Sequence, residues 1–242
     1  MTAENQIIDI ARKQNGLFTR KDLLNAVRSG MKNISEGSLV VLLNRMLAEN
    51  KIIRVSYGKY KLNEDLKYDF LYKPSEFMLS LNRHIKEKFP FTDYCIWQPS
   101  IFASMMLHVP AVRTTLVDVE RDAMESVFMS LQNMEFAIPV FLNPKQEDVD
   151  RYITNRDMII VRPLVKEAPI DIIDGCPVPT LEKMLVDAIS DKELQHLQGN
   201  ELYTIYSNAF SDYEIKMPRL LRYAARRNRK QKVEQIINTI NI

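Results

Sequence analysis

The first 62 residues interleave helical apolar stripes with stop signals, and that punctuation leaves few ways for them to fold. Within 5–14, Ile7, Ile8 and Ala11 fall at the i, i+1, i+4 spacing of one helix face. After Gly16, Thr19-Arg-Lys-Asp22 sets a capping residue three positions ahead of an acid. It opens a second helix through Leu23, Leu24, Ala26 and Val27 that stops at Ser29-Gly30. Ser35 caps a third helix whose core stripe is Leu39, Leu42, Leu43, Met46 and Leu47, ending near Asn50. Residues 51–55, a Ser-Tyr-Gly58 turn and residues 59–62 predict a short hairpin. Helix, strand-like linker, helix, helix, hairpin is the order of a winged helix-turn-helix.

What lies off the core stripe points to duplex DNA. The third helix is expected to present Ser35, Glu36, Ser38, Val41, Asn44 and Arg45 outward, its first turn aimed at the groove. The hairpin adds Arg54, Ser56, Tyr57, Lys59 and Lys61, a cationic wing with aromatic reach. Residues 1–62 hold 11 Lys/Arg against 5 Asp/Glu, a net of +6, and phosphate neutralisation needs that bias. The expected DNA contacts are Ser35, Ser38, Asn44 and Arg45 on the helix and Arg54, Tyr57, Lys59 and Lys61 on the wing. A winged helix can also serve protein contacts, and the basic wing decides for DNA.

Charge is segregated along the rest of the chain. Residues 63–215 carry 14 basic and 25 acidic residues, a net of −11, and residues 216–232 carry eight basic residues and no acid. At 242 residues and 46% hydrophobic content there is room for about two packed domains. The expected division is a winged helix at 1–62, a charged linker at 63–73 and a second domain at 74–242. Cys95 and Cys176 show no paired spacing and read as reduced thiols. No signal peptide pattern opens the sequence and no stretch approaches a membrane span, so a soluble cytoplasmic protein is expected, with no membrane contact.

Downstream, Pro74 suits the first turn of a helix to about Lys88, with Phe77, Leu81 and Ile85 on its buried face. Strand patterns at 94–97, 114–119, 137–142 and 158–163 alternate with helical ones at 99–108, 122–132 and 145–153. Residues 170–173 read as an edge strand or hairpin arm. Beyond Pro179 only helices are expected, at 180–189, 193–198, 201–210, 218–227 and 230–240. The fold class is therefore α+β: a winged helix, then an α/β domain with a mixed sheet and a helical C-terminal part.

Chemistry is hard to find in this body. Asp118-Val-Glu120 ends an apolar strand, and paired carboxylates on a strand can bind Mg²⁺ in nucleotidyltransferases and nucleases. The first class also needs a Gly-Ser turn upstream, where this chain has Phe-Ala-Ser-Met-Met-Leu-His108. The second needs a Lys after the second acid, where Arg121-Asp122-Ala123 follows, with Asp122 better read as a helix cap. A metal-dependent nuclease or nucleotide-handling enzyme on Asp118 and Glu120 is thus the alternative reading, and an acidic adaptor for a basic partner protein is a third. His84, His108 and His196 have no ligand spacing, no serine sits in a nucleophile elbow, and no glycine run cradles phosphate. No catalytic residue, metal or cofactor is expected, and no enzyme. Met105, Met106, Met124, Met129 and Met134, with Trp97, read as core. In the basic tail, Leu220, Leu221 and Ala224 give an apolar helix face, with Arg219, Arg222, Arg226 and Arg227 on the outer arc. Two readings stand for them: packing on the acidic body, or a further duplex contact through Arg222 and Arg226.

Three segments resemble the AbiEi-type antitoxins of type IV (abortive-infection) toxin–antitoxin systems. The run ISEGSLVVLLNRMLAENKIIRVSYGKY at 34–60 is similar to that family's winged-helix core and Gly-x-Tyr wing. Pro179-Thr-Leu-Glu-Lys-Met-Leu-Val-Asp187 is similar to its E-[RK]-x-L-x-D helix, with Lys183 where Arg is commoner. Arg219-Leu-Leu-Arg-Tyr-Ala-Ala-Arg226 is similar to its closing Leu-x-x-Tyr-Ala helix. The resemblance implies an autorepressor that binds its operator. It also implies a functional partner, a nucleotidyltransferase-like toxin counteracted without a stable complex.

Overall fold

The computed structural model describes residues 4, 7, 8, 10, 11, 17–29, 35–63, 67–107, 114–134, 138–145, 147, 148 and 157–240, and of 26–29, 36 and 190 only the backbone. The chain is a mixed α+β protein of two compact units, Met1–Leu71 and Tyr72–Ile242. The division falls inside the segment expected to be a linker.

In the first unit, residues 4, 7, 8, 10 and 11 are helical. There follow β1 (Leu17–Thr19), α1 (Arg20–Ser29), α2 (Glu36–Ala48), β2 (Ile52–Ser56) and β3 (Lys59–Leu62). The strands form an antiparallel sheet of order β1-β3-β2, with a bulge in β2 at Arg54/Ser56. Each helix start has its cause in the sequence. The Asp22 carboxylate accepts from the Thr19 N–H at 2.8 Å and hydroxyl at 2.6 Å, and the Asp22 N–H donates back to Thr19 Oγ1 at 3.2 Å. Ser35 Oγ accepts from the Ser38 N–H at 3.1 Å. The hairpin turns at Tyr57-Gly58, where φ of +70° suits a residue without Cβ. Ile7, Ile8, Phe18, Leu23, Leu39, Leu43, Met46, Ile52 and Leu62 close one core, with Leu42 and Leu47 half-buried at its margin. Full burial of such aliphatic side chains is worth about 1.5–3 kcal/mol each. Phe18 stacks on Tyr60 at 5.7 Å between ring centres.

The second unit runs α3 (Glu76–Lys88), β4 (Tyr94–Trp97), a 3₁₀ turn (Pro99–Met105), β5 (Thr114–Val119), α4 (Met124–Gln132), β6 (Val140–Leu142) and β7 (Met158–Pro163). A hairpin of β8 (Ile170–Ile173) and β9 (Cys176–Pro179) leads into α5 (Leu181–Ser190) and a 3₁₀ stretch (Lys192–Leu197). Then come α6 (Asn200–Asp212), α7 (Met217–Arg226) and α8 (Lys230–Thr239). The sheet is mixed, order β4-β5-β7-β6, with β4 antiparallel to β5 and the other pairs parallel.

Several local expectations shift. Helix α3 starts at Glu76 because Ser75 Oγ accepts the Met78 N–H, so Pro74 stays outside it. Asp122 does not cap α4: residues 121–123 form a turn in which the Ala123 N–H donates to the Glu120 carbonyl. Strand β9 is the second arm of a hairpin of which only 170–173 was read as a strand, and it carries Pro177 and Pro179. It pairs only with β8, at an edge where missing N–H groups are tolerated. Met129 is half exposed rather than core. Of the helix expected at 145–153, residues 147 and 148 are helical and most of the remainder lies outside the described residues, as does His108. Among the described residues no helix is long and apolar enough to cross a membrane.

Replacing Thr19 by Ala removes the hydroxyl that accepts the Asp22 N–H and donates to its carboxylate, leaving the cap on α1 only its backbone half. The expected cost is about 1 kcal/mol, read as a lower urea midpoint of the first unit's transition with unchanged slope.

Candidate functional site

On the first unit, the residues expected at DNA form a continuous exposed face of α2. Ser38, Val41 and Arg45 follow each other at i, i+3, i+7, with Asn44 beside them, opposite buried Leu39, Leu43 and Met46. Ser35 is occupied as the cap, and its hydroxyl also hydrogen-bonds that of Ser38 at 2.9 Å. Arg45 is exposed but not unattached, its guanidinium 2.9 Å from Glu4 Oε2 and 3.8 Å from Glu49 Oε1. On the hairpin, Tyr57 is 94% exposed, Arg54 lies over its ring at 5.3 Å, and Lys59 is exposed; Lys61 is half-buried.

The second unit holds an arrangement of charges buried at the sheet. Asp118 on β5 and Arg162 on β7 stand opposite each other in parallel register, each five residues into an otherwise uncharged strand. Arg162 Nε donates to Asp118 Oδ1 at 2.5 Å. Asp118 Oδ2 accepts from Lys183 Nζ at 2.5 Å and from the Trp97 indole N–H at 3.3 Å. Thr180 caps α5, and this sets Lys183 and Asp187 one turn apart on it; Nζ reaches Asp187 Oδ2 at 2.7 Å. The Tyr223 hydroxyl donates to Asp187 Oδ1 at 2.9 Å. Arg162 Nη1 donates to Asp191 at 2.7 Å and to Glu193 at 3.2 Å, and Arg227 bonds the other Asp191 oxygen.

Four carboxylates thus enclose three cations, all but Arg227 nearly out of solvent. Burial would raise the Asp118 carboxyl, but Arg162 and Lys183 outweigh it and hold it at about 2. Burial pulls Lys183 and Arg162 down, and the facing carboxylates keep both well above their usual values. Asp191 goes the other way: burial and neighbouring Asp187 push it up to about 6 against the pull of Arg162 and Arg227. A pocket of about 230 Å³ opens over the cluster, lined by Asp118, Asn143, Arg162, Lys183 and Tyr223 among others. A cleft of about 1110 Å³ beside it is lined by Tyr94, Glu120, Leu164, Ile172 and Arg226 among others.

Asp118 and Glu120 are not brought together as a pair. Both Asp118 oxygens are taken by cationic donors, while Glu120 accepts the Asp93 N–H at 3.2 Å and lines the other cleft. Arg162, Asp191, Glu193 and Arg227 were missed as members of a site. Their signal was a single charge inside a run such as Met-Ile-Ile-Val-Arg-Pro, matched by Thr-Thr-Leu-Val-Asp-Val. Trp97 is core as expected, and also a wall of the cluster, its ring 5.7 Å from the Arg162 guanidinium and 5.4 Å from Lys183 Nζ. In the tail, Arg226 pairs with Glu167, Arg219 with Glu182 and Arg227 with Asp187 and Asp191, and of these Arg227 is the one drawn into the buried cluster. Arg222 is exposed.

The architecture is that of a two-unit α+β protein with an exposed helix face in one unit and a largely buried charge cluster under a small pocket in the other. Residues 38–242 match a family of unknown function, DUF6577, and the chain belongs to that family. The match takes in nearly all of α2, the hairpin and the whole second unit. A comparison with curated proteins returned no match.

Asp118→Asn leaves Arg162 and Lys183 without their shared counter-charge, and is expected to destabilise the second unit by about 3–5 kcal/mol in urea unfolding. Asp191 makes a separate pH signature. Its folded value lies above its unfolded one, so its contribution is full below the ordinary carboxylate range and is lost as pH rises through about 6. The urea midpoint should therefore fall between about pH 4 and pH 7, and fall less in Asp191→Asn.

Proposed function

We propose that this chain is a double-stranded-DNA-binding transcriptional regulator whose first unit acts as a winged helix-turn-helix. The observation that carries the reading is the exposed stripe Ser38–Val41–Arg45 with Asn44 on a capped helix, in the same unit as a hairpin bearing Arg54, Tyr57 and Lys59. A helix face free of core duties can enter a major groove, while exposed cations on a hairpin supply phosphate contacts. The main duplex surface in this reading is the first unit's; in the tail Arg226 pairs with Glu167, while exposed Arg222 is kept as a further duplex contact. The resemblance to AbiEi-type antitoxins carries the finer proposal. The chain represses its own operon inside the cell and counteracts a nucleotidyltransferase-like toxin encoded beside it, without a lasting complex and without catalysis of its own.

A mobility shift on the duplex upstream of its own coding region, across a salt series, tests the regulatory half. Binding should weaken steeply with salt, and no binding even at low salt overturns the reading. Lys59→Ala should weaken that duplex and a scrambled one alike and reduce the log–log salt slope by about 0.9. The antitoxin half is checked by co-expression with the neighbouring gene product, whose growth arrest the full chain should relieve.

A further inference from the structure

Arg45, on the exposed face of α2, belongs to a closed ring of alternating charges with Glu49 at the helix end, Lys51 and Glu4. Glu4 Oε2 accepts from Arg45 Nη2 at 2.9 Å, and Glu49 Oε1 lies 3.8 Å from Arg45 Nε. The Lys51 ammonium bridges the remaining oxygens, bonding Glu4 Oε1 and lying 2.7 Å from Glu49 Oε2. Hydrogen bonds to Glu4 and Glu49 draw the Lys51 pKa up, and the bond to Lys51 draws Glu49 down, so each of these two is held in its charged form. Exposed ion pairs contribute little to folding stability. What this one changes is orientation.

A guanidinium offers five N–H groups in a planar fork. Glu4 accepts from Nη2 and Glu49 stands 3.8 Å from Nε, both on its side edge, which leaves the end edge formed by Nη1 and Nη2. The side chain keeps 56% of its surface exposed, on the same stripe as Ser38 and Val41. We infer that Arg45 reads a guanine through that end edge, with Glu4 and Glu49 as the positioning residues that hold the fork for it; this rests on the DNA-binding reading above. Two parallel donors match the O6 and N7 acceptors of guanine in the major groove, whereas adenine puts a donor at one of those places. A long, flexible side chain loses rotamer freedom when it docks, and a buttress that fixes it beforehand removes most of that loss. Paired with two carboxylates, Arg45 also adds little to phosphate neutralisation, in contrast to Lys59. Val41, 69% exposed one turn earlier, places an apolar group where a thymine methyl would meet it.

The experiment is selection from a random-sequence duplex library with the full chain, comparing wild type, Arg45→Ala, Glu4→Gln and Glu4→Asp. Wild type should select a guanine at one fixed position. Arg45→Ala should lose that preference by roughly five- to a hundredfold while leaving the salt slope on random duplex unchanged. Glu4→Gln should weaken the preference at that position alone, by about three- to tenfold, and Glu4→Asp should restore part of it. Base preference at one position is a ratio between duplexes, so a loss of folded protein does not imitate it. If wild type binds no duplex, the regulator reading itself fails. If it selects a motif without a guanine that depends on Arg45, or if Glu4→Gln keeps the full preference, the guanine inference fails alone.

Discussion

Asp118 and Arg162 face each other on adjacent parallel strands, and the second unit is arranged around that pair. A lone ionised side chain in an apolar strand costs several kcal/mol, and even a pair is stable only when its remaining lone pairs and protons find partners. The sheet supplies the first contact through register alone. Trp97 on β4 adds its indole N–H, and the rest comes from outside the sheet: Lys183 and Asp187 from α5, Asp191 and Glu193 from around the 3₁₀ segment after it, Tyr223 and Arg227 from around α7. Each of those segments is therefore held in one rotation and one height. Apolar packing alone would let a helix slide or turn by a residue at modest cost, but here a shift strands a buried charge.

That logic explains why the segment Thr180-Leu-Glu-Lys-Met-Leu-Val-Asp187 looks like a signature. Thr180 fixes where α5 begins, and the i, i+4 pair Lys183 and Asp187 then meets the sheet charges. Glu182, pointing elsewhere, accepts the Lys216 N–H at 3.0 Å and ties the start of α7 to the start of α5. The three residues are all buried, which is unusual for Glu, Lys and Asp, and each is buried with a partner.

Most of the fold was legible because its signals are local. Thr19 with Asp22, Ser35 and Thr180 each announce a helix through a cap, and the stripe Leu39, Leu43, Met46 announces the buried face. The mixed sheet followed from alternating strand and helix patterns. The charge cluster was not legible in the same way, since its members come from positions 118, 162, 183, 187, 191, 193 and 227 and meet only through topology. Asp118 was noticed, but beside Glu120, its neighbour in sequence. The partner that matters, Arg162, is its neighbour in the sheet. Of the β8–β9 hairpin only 170–173 was legible as a strand, because proline counts against a strand unless one knows the strand lies at an edge.

The same lesson applies to charge. Read along the chain, a basic head and a basic tail flank an acidic body, and both ends suggest nucleic acid. After pairing, the picture changes. Arg219, Arg226 and Arg227 each meet a carboxylate of the second unit, so part of the tail's charge is paired within its own body, while Arg222 stays exposed. Even Arg45 in the head is engaged, although there the acids occupy one edge of the fork and leave another open. Arg54 and Lys59 on the hairpin, like Arg222, Arg229 and Lys232 in the tail, are exposed and in no ion pair among the described residues. An electrostatic footprint is what remains when internal pairs are removed, not a count of Lys and Arg, and by that measure exposed cations remain on the hairpin, at Arg54 and Lys59, and in the tail, at Arg222, Arg229 and Lys232.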